Sequence, residues 1–141
     1  MNTEAIYSAL WANLTAIPGF VEKSRRLKHW NDVAPSCQPA IYMAQGNQTP
    51  TTTTGQPSKW LLSAELYIYA RTDGGRDPGP ILNPLIDAVR EAINAVHPVT
   101  GKSHLPVDGV EWARIDGTIE TDEGTLGDQA VAIIPLSILA T

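Results

Sequence analysis

Four groups of residues in this chain have the side-chain types that chemistry requires. His29 and Cys37 could serve as base and nucleophile. No nucleophile elbow or oxyanion glycine accompanies them, so Cys37 reads as a buried or incidental thiol. His29, His97 and His104 are the only histidines. None sits at i, i+4 or in a His-x-His pattern, so a zinc site would have to be gathered from three separate loops. Gly74-Gly75, between Asp73 and Arg76, is glycine-rich but lacks the Gly-x-x-x-x-Gly-Lys spacing that cradles phosphate, and reads as a plain loop. Asp116, Glu120, Asp122, Glu123 and Asp128 concentrate carboxylates. Their spacing matches neither a calcium loop nor an acid/base pair. That leaves a solvated turn or an electrostatic docking face. No catalytic residue, metal ligand or cofactor is assigned.

Assembly is the theme the residues support better. Lys23, Arg25, Arg26 and Lys28 form a basic stretch opposite in sign to the Asp122–Glu123 turn. Complementary patches on one subunit suit a head-to-tail contact between copies, and two ordinary solvated faces are the equal alternative. Residues 126–139 read as a strand that is apolar almost throughout yet carries Pro135. Proline cannot donate to a ladder, so such a strand lies at a sheet edge or contains a bulge. An apolar edge strand pairs with copies of itself or with a neighbour.

The elements that position these groups follow from periodicity. Ile6, Leu10, Leu14 and Ile17 recur at helical spacing over residues 3–17, with Thr3 as N-cap, Pro18-Gly19 as terminator and Trp11 at the margin of the apolar face. Residues 20–27 read as a strand, 28–39 as a proline-punctuated connection and 40–44 as a short strand. Residues 45–58, with Thr51, Thr52, Thr53 and Thr54 at their centre, have no hydrophobic period and read as a flexible hairpin tip or extended loop. Residues 60–69 alternate cleanly. Trp60, Leu62, Ala64, Leu66 and Ile68 fall on a core face, with Tyr67 and Tyr69 on a mixed face suited to a half-covered or contact surface. A loop over 72–79 leads to a second helix starting at Pro80 or Pro84 and ending near Val96, with Leu82, Leu85, Ile86, Val89 and Ile93 buried. A closing hairpin begins near Gly109. The order helix, three strands, helix, two strands predicts an α+β two-layer domain, an antiparallel or mixed sheet with both helices on one face. The other face is left for partners.

Bulk properties set limits. The 141 residues fit one domain, 1–141, able to bury a core without disulfides. A net charge of −5 argues against a general nucleic-acid binder. One cysteine excludes an internal disulfide. Neither a secretory signal nor a run of about 18 apolar residues is present. The expected setting is a cytosol, or a particle assembled in one.

Taken together, Ala5-Ile-Tyr-Ser-Ala-Leu-Trp11, Ile17-Pro-Gly-Phe20, Ser24-Arg-Arg-Leu-Lys-His-Trp30, Pro39-Ala-Ile-Tyr-Met-Ala-Gln-Gly46, Leu66-Tyr-Ile-Tyr69, Leu82-Asn-Pro-Leu-Ile-Asp87 and the segment from Glu120 to Pro135 resemble one family. It is the tail terminator (minor tail, lambda-type) proteins of long-tailed bacteriophages and prophages, and the likeness of pattern spans nearly the whole chain. The resemblance implies an α+β virion subunit without catalytic activity or cofactor, assembled in the host bacterial cytoplasm. It implies a hexameric ring on the head-proximal end of the tail tube that stops tube polymerisation and offers a surface to the head-tail connector. The implied partners are further copies, the tube protein and the connector. Neither a membrane nor sequence-specific nucleic-acid binding is implied, although the genome would pass through the ring. The candidate subunit and tube contacts are Arg25, Arg26, Thr51 to Thr54, Asp122, Glu123 and Pro135.

Overall fold

Helix α1 (Thr3–Thr15) forms where the apolar period predicts it and buries Ile6, Tyr7, Leu10 and Leu14. Its N-cap is Asn2, one residue earlier than expected, because the Asn2 side-chain oxygen accepts from the Ala5 N–H at 3.0 Å. At the other end the Lys23 ammonium donates to the carbonyls of Thr15 (2.6 Å) and Ile17 (3.3 Å). Those are groups that a helix terminus leaves without intrahelical partners. The protein is described from a computed structural model covering residues 1–94, 105–124 and 127–141.

Strands β1 (Glu22–Ser24), β2 (Ala40–Thr51) and β3 (Lys59–Arg71) follow. The strand expected over 20–27 shrinks to three residues. The Ser24 hydroxyl takes the Arg26 N–H at 3.0 Å, a local turn that competes with the ladder, and Arg25 reaches back to α1. β2 runs far past the expected 40–44, and the loop expected over 45–58 narrows to residues 52–58. The outer half of β2 carries no apolar period because all its residues from Gln45 to Thr51 are solvent-exposed. Backbone pairing to β3, which sequence periodicity does not register, makes it a strand. A bulge interrupts that pairing between Gln45 and Gln48, where Gly46 and Asn47 oppose Ser63.

Helix α2 (Pro78–Asn94) buries Leu82, Ile86, Val89 and Ile93 and holds Leu85 half-buried. The expected end at Val96 to Pro98 lies outside the described residues. The closing hairpin is more broken than expected. Its first arm splits into β4 (Val110–Ile115) and β5 (Glu120–Asp122), both antiparallel to β6 (Gln129–Ala140).

The sheet has the order β1-β2-β3-β6-β4, with β5 beside β6 past the end of β4. It is mixed, since β1 runs parallel to β2 and the other pairs are antiparallel. Both helices pack on one face over Ile41, Met43, Leu62, Leu66, Ile68, Ile134, Leu136 and Ile138, the α+β two-layer arrangement the element order implies. The alternation expected in β3 is present, with Leu62, Ala64, Leu66 and Ile68 inside.

One expectation is overturned. β6 is no edge strand: β3 pairs with it along its whole length and β4 and β5 cover its other side. The Pro135 carbonyl accepts from the Asp116 N–H at 3.0 Å. Backbone nitrogen and carbonyl of one strand residue point the same way, so the donor that Pro135 lacks faces the break between β4 and β5. The β3 ladder needs nothing from that nitrogen, and a proline is therefore tolerated in an interior strand.

Candidate assembly surface

The second sheet face is built in transverse rows. One row runs Ser24, Tyr42, Tyr67, Ile133, Glu120, and the next runs Glu22, Ala40, Tyr69, Val131, Asp122. The connection between β1 and β2 folds back over the centre of these rows, placing Trp30, Val33 and Cys37 against Tyr42, Tyr69 and Val131. Three polar clasps hold it there. The Gln129 amide donates to the Trp30 carbonyl (3.3 Å), the Gln38 amide donates to the Val33 carbonyl (3.3 Å) and to Gln129 Oε1 (3.0 Å), and the Tyr69 hydroxyl donates to the Lys28 carbonyl (2.9 Å). Burial raises the Tyr69 pKa. Sequence reasoning left Tyr67 and Tyr69 on a half-covered or contact face; residues 28–38 are the cover, a segment it did not identify. Trp30 was the available signal, a large aromatic in a proline-rich connection that needs something to pack on.

Beside that cover an open groove of about 330 Å³ remains, floored by Tyr67, Val131 and Ile133 and walled by Trp30 on one side and the β5 residues Glu120 and Asp122 on the other. Tyr67 donates to Glu65 at 2.8 Å, which pushes its pKa up to about 12. Further along the same face Leu61, Leu139 and Trp112 line up as a half-buried apolar row, with the Arg114 guanidinium 3.9 Å from the Trp112 ring centroid.

The sequence-derived contact residues occupy different parts of this surface. Arg25 is committed internally. It binds Glu4 of α1 at 2.5 and 3.2 Å and Gln45 of β2 at 2.9 Å, joining the two layers. Its guanidinium lowers the Glu4 pKa to about 2, with the Ser8 hydroxyl adding to the effect. Arg26 is exposed, and its side chain meets no partner among the described residues. Lys28 pairs with Glu22 at 3.0 Å, and Glu22 also accepts a short hydrogen bond from Tyr42. Those two bonds, Tyr42 first, lower the Glu22 pKa; burial and then the bond raise that of Tyr42. Thr51 ends β2, and Thr52 to Thr54 form the exposed hairpin tip, closed by the Gln56 N–H on the Thr53 carbonyl at 3.0 Å. Asp122 lies on β5, where its carboxylate accepts the Gly124 N–H at 3.1 Å, and Glu123 is exposed beside it. Pro135 sits in the middle of the sheet, not on a border. Arg25 and Arg26 thus follow one border strand, Asp122 and Glu123 belong to the opposite one, and the threonines cap one end.

The groups considered for chemistry are placed as follows. His29 Nδ1 accepts the Asn31 N–H at 3.2 Å, and its ring lies 5.0 Å from that of Trp30. Gly74 and Gly75 turn β3 into α2 at positive φ, and the neighbouring Asp73 is held by Arg71 (2.5 Å) and Arg76 (3.0 Å). Among the described residues no three His, Cys, Asp or Glu side chains converge as a metal site, and no helix is long and apolar enough to cross a membrane. His97 and His104 lie outside the described residues.

No family model matches the chain, and no curated protein matches it. Solved structures do. A chain from the virion of a native gene transfer agent particle superposes with a TM-score of 0.52 at 12% identity, over 98% of this chain and 93% of that one. Another, known only by a sequence identifier, gives a TM-score of 0.52 at 14% identity, over 100% of this chain and 96% of that one. At these identities the likeness establishes a shared fold.

Proposed function

We propose that this protein is a structural component of a phage-like virion, a tail terminator that forms a ring, a hexamer by family resemblance, on the head-proximal end of the tail tube. There it ends tube polymerisation and presents the joining surface to the head's connector. The observation that carries this reading is the whole-length fold match to a chain of a gene transfer agent virion. It covers nearly all of both chains. The motif resemblance supplies the terminator role within that class. The architecture suits it: helices shield one sheet face, while the other offers a groove, an apolar row and an exposed threonine tip to neighbours. The Thr51–Thr54 tip is the contact we assign to the tube or the connector, and the role requires no catalytic group.

Deletion of the gene from its phage or prophage, followed by electron microscopy of tails, tests the role. Overlong headless tubes are expected, because loss of the stop signal lets the tube keep growing. Tails of normal length left unattached to heads would refute the terminator role and identify a different neck component, a stopper or adaptor ring.

A further inference from the structure

The two borders of the sheet lie at the same level. β1 ends the rows on one side, with Glu22 and Ser24, and β5 ends the same rows on the other, with Asp122 and Glu120. β1 and β5 are each three residues long, and each has an outer backbone edge with no strand beside it among the described residues; β4, six residues long, continues the border on the β5 side. Their directions also match. β6 runs with β2 because both are antiparallel to β3, so β5 runs against β1. Two copies set side by side in the same orientation would therefore bring β1 of one against β5 of the next as an antiparallel pair.

The surfaces around these borders complement each other twice over. By charge, Arg26 and Lys28 follow β1, while Glu120 on β5 and Glu123 just after it are exposed carboxylates. The Arg26 and Glu120 side chains meet no partner within the described residues. By shape and polarity, only three large hydrophobic side chains of the described residues are exposed. Two of them, Val21 (62%) and Leu27 (42%), flank β1. The groove with the Tyr67, Val131 and Ile133 floor adjoins β5. Solvated apolar side chains beside one border and an open groove floored by Tyr67, Val131 and Ile133 beside the other form the two halves of a heterologous contact.

We propose that β1 of one copy docks beside β5 of a second copy of this chain, continuing the sheet, with Leu27 entering the groove and Arg26 facing Glu120. This deepens the ring reading and rests on it. Because the two patches differ, each copy uses both, and repetition closes a ring or continues without limit rather than stopping at a dimer. Three-residue strands such as β1 and β5 are too short to hold copies together by backbone pairing alone. The apolar insertion supplies the affinity, and the ion pair fixes register and makes assembly weaken with salt.

Sedimentation and native mass spectrometry on the full chain at low salt test this, with the Tm of every variant checked against wild type. Leu27→Asp is expected to weaken association at least about tenfold. Arg26→Glu and Glu120→Lys are each expected to weaken it by about tenfold, and the pair together to recover most of the loss. In a Cys37→Ser background, Arg26→Cys with Glu120→Cys should give an oxidative cross-link ladder ending in one closed product. The proposal is overturned by additive charge reversals, by a ladder that stops at a dimer, or by no cross-link at high concentration. These outcomes separate from the terminator test. Overlong tails in the deletion strain with uncoupled charge reversals would keep the terminator and discard this border. Coupled reversals with normal tail lengths would do the opposite.

Discussion

Substituting Gly46→Ala should reveal how the outer half of the long hairpin is shaped. Gly46 does not have a positive φ, so its requirement for glycine is one of space alone. A Cβ there would lie 2.4 Å from Ser63 Oγ, far inside contact distance, although only 3.4 Å from Ser63 Cβ and 3.5 Å from its carbonyl oxygen. The obstacle is therefore the hydroxyl, which donates to the Asn47 carbonyl at 2.9 Å across the bulge. The least costly relief is rotation of that hydroxyl, forfeiting a hydrogen bond worth about 1 kcal/mol and adding about 1 kcal/mol of residual crowding. Against this, alanine restricts the unfolded chain and returns about 0.5 kcal/mol. Gly46→Ala alone should then cost about 1–1.5 kcal/mol. Ser63→Ala alone should cost about 1 kcal/mol or less, since the Asn47 carbonyl is exposed and water can replace the bond. In the Ser63→Ala background the obstacle is gone, and Gly46→Ala should become neutral or stabilise by about 0.5 kcal/mol. The double-mutant cycle, measured by urea denaturation, should therefore show a coupling of about 1–2 kcal/mol with a change of sign. Additive costs would refute the account and mean that the bulge is held by something other than this contact.

Three further outcomes are expected. Gly109 has φ +88, and a Cβ on it would meet the Thr141 carbonyl oxygen at 2.6 Å. Gly109→Ala should lower stability by about 2 kcal/mol or more through backbone strain that no side-chain rotation relieves, visible as a lower urea midpoint at constant slope. Ile134 is fully buried in β6 under the helices, so Ile134→Ala should cost about 3 kcal/mol in the same assay, while an equal loss at exposed Thr53 would contradict the packing described. Glu4 has its pKa lowered from 4.5 to about 2 by Arg25. A depressed carboxylate pKa stabilises the fold above the unfolded value and loses that contribution as pH falls through the folded one. The Tm advantage of wild type over Glu4→Gln should therefore be present above pH 4.5 and shrink between there and about pH 2, and Arg25→Ala should return the Glu4 titration, followed by NMR, toward 4.5.

Much of the architecture was legible because burial leaves a period in the sequence. α1, α2 and β3 each present an apolar repeat to the same core, and their buried faces emerge as that repeat predicts. Outer β2 left no such trace, since nothing there is buried and its pairing uses only backbone atoms that all residues share. The candidate surface was half legible for the same reason. The second face of β3 showed as a mixed row, Leu61, Ser63, Glu65, Tyr67 and Tyr69. Its cover by residues 28–38 depends on the amides of Gln38 and Gln129, 91 positions apart, which no local reading can bring together. Charge told less than its pattern suggested: of the adjacent Arg25 and Arg26, one clamps α1 to β2 and the other meets no side-chain partner among the described residues, and the turn at Ser24 lies between β1 and this pair.

Pro135 shows where a sound rule needs a third dimension. A proline in an apolar strand does mean that one ladder position goes unfilled, and from a single strand that reads as a border. A strand has two sides, however, and the missing donor belongs to only one of them. Here β3 uses the other side throughout, while the chain opposite the proline leaves the ladder at Ile115 and rejoins it at Glu120. Gly117 lies inside that break, at φ +121, where a Cβ would come within 3.0 Å of the Pro135 ring. The glycine is thus what lets the detour pass close over the proline, so the two residues form one device. Gly117→Ala should disturb this crossing even though position 117 is exposed and lies in no strand, and it should do so less in a Pro135→Ala background, where the ring that crowds the added methyl is gone. The remaining strain from the positive φ would persist in both backgrounds, at about 1–2 kcal/mol. A cost at Gly117 that is identical with and without the proline would mean that the detour is set by φ alone and owes nothing to Pro135.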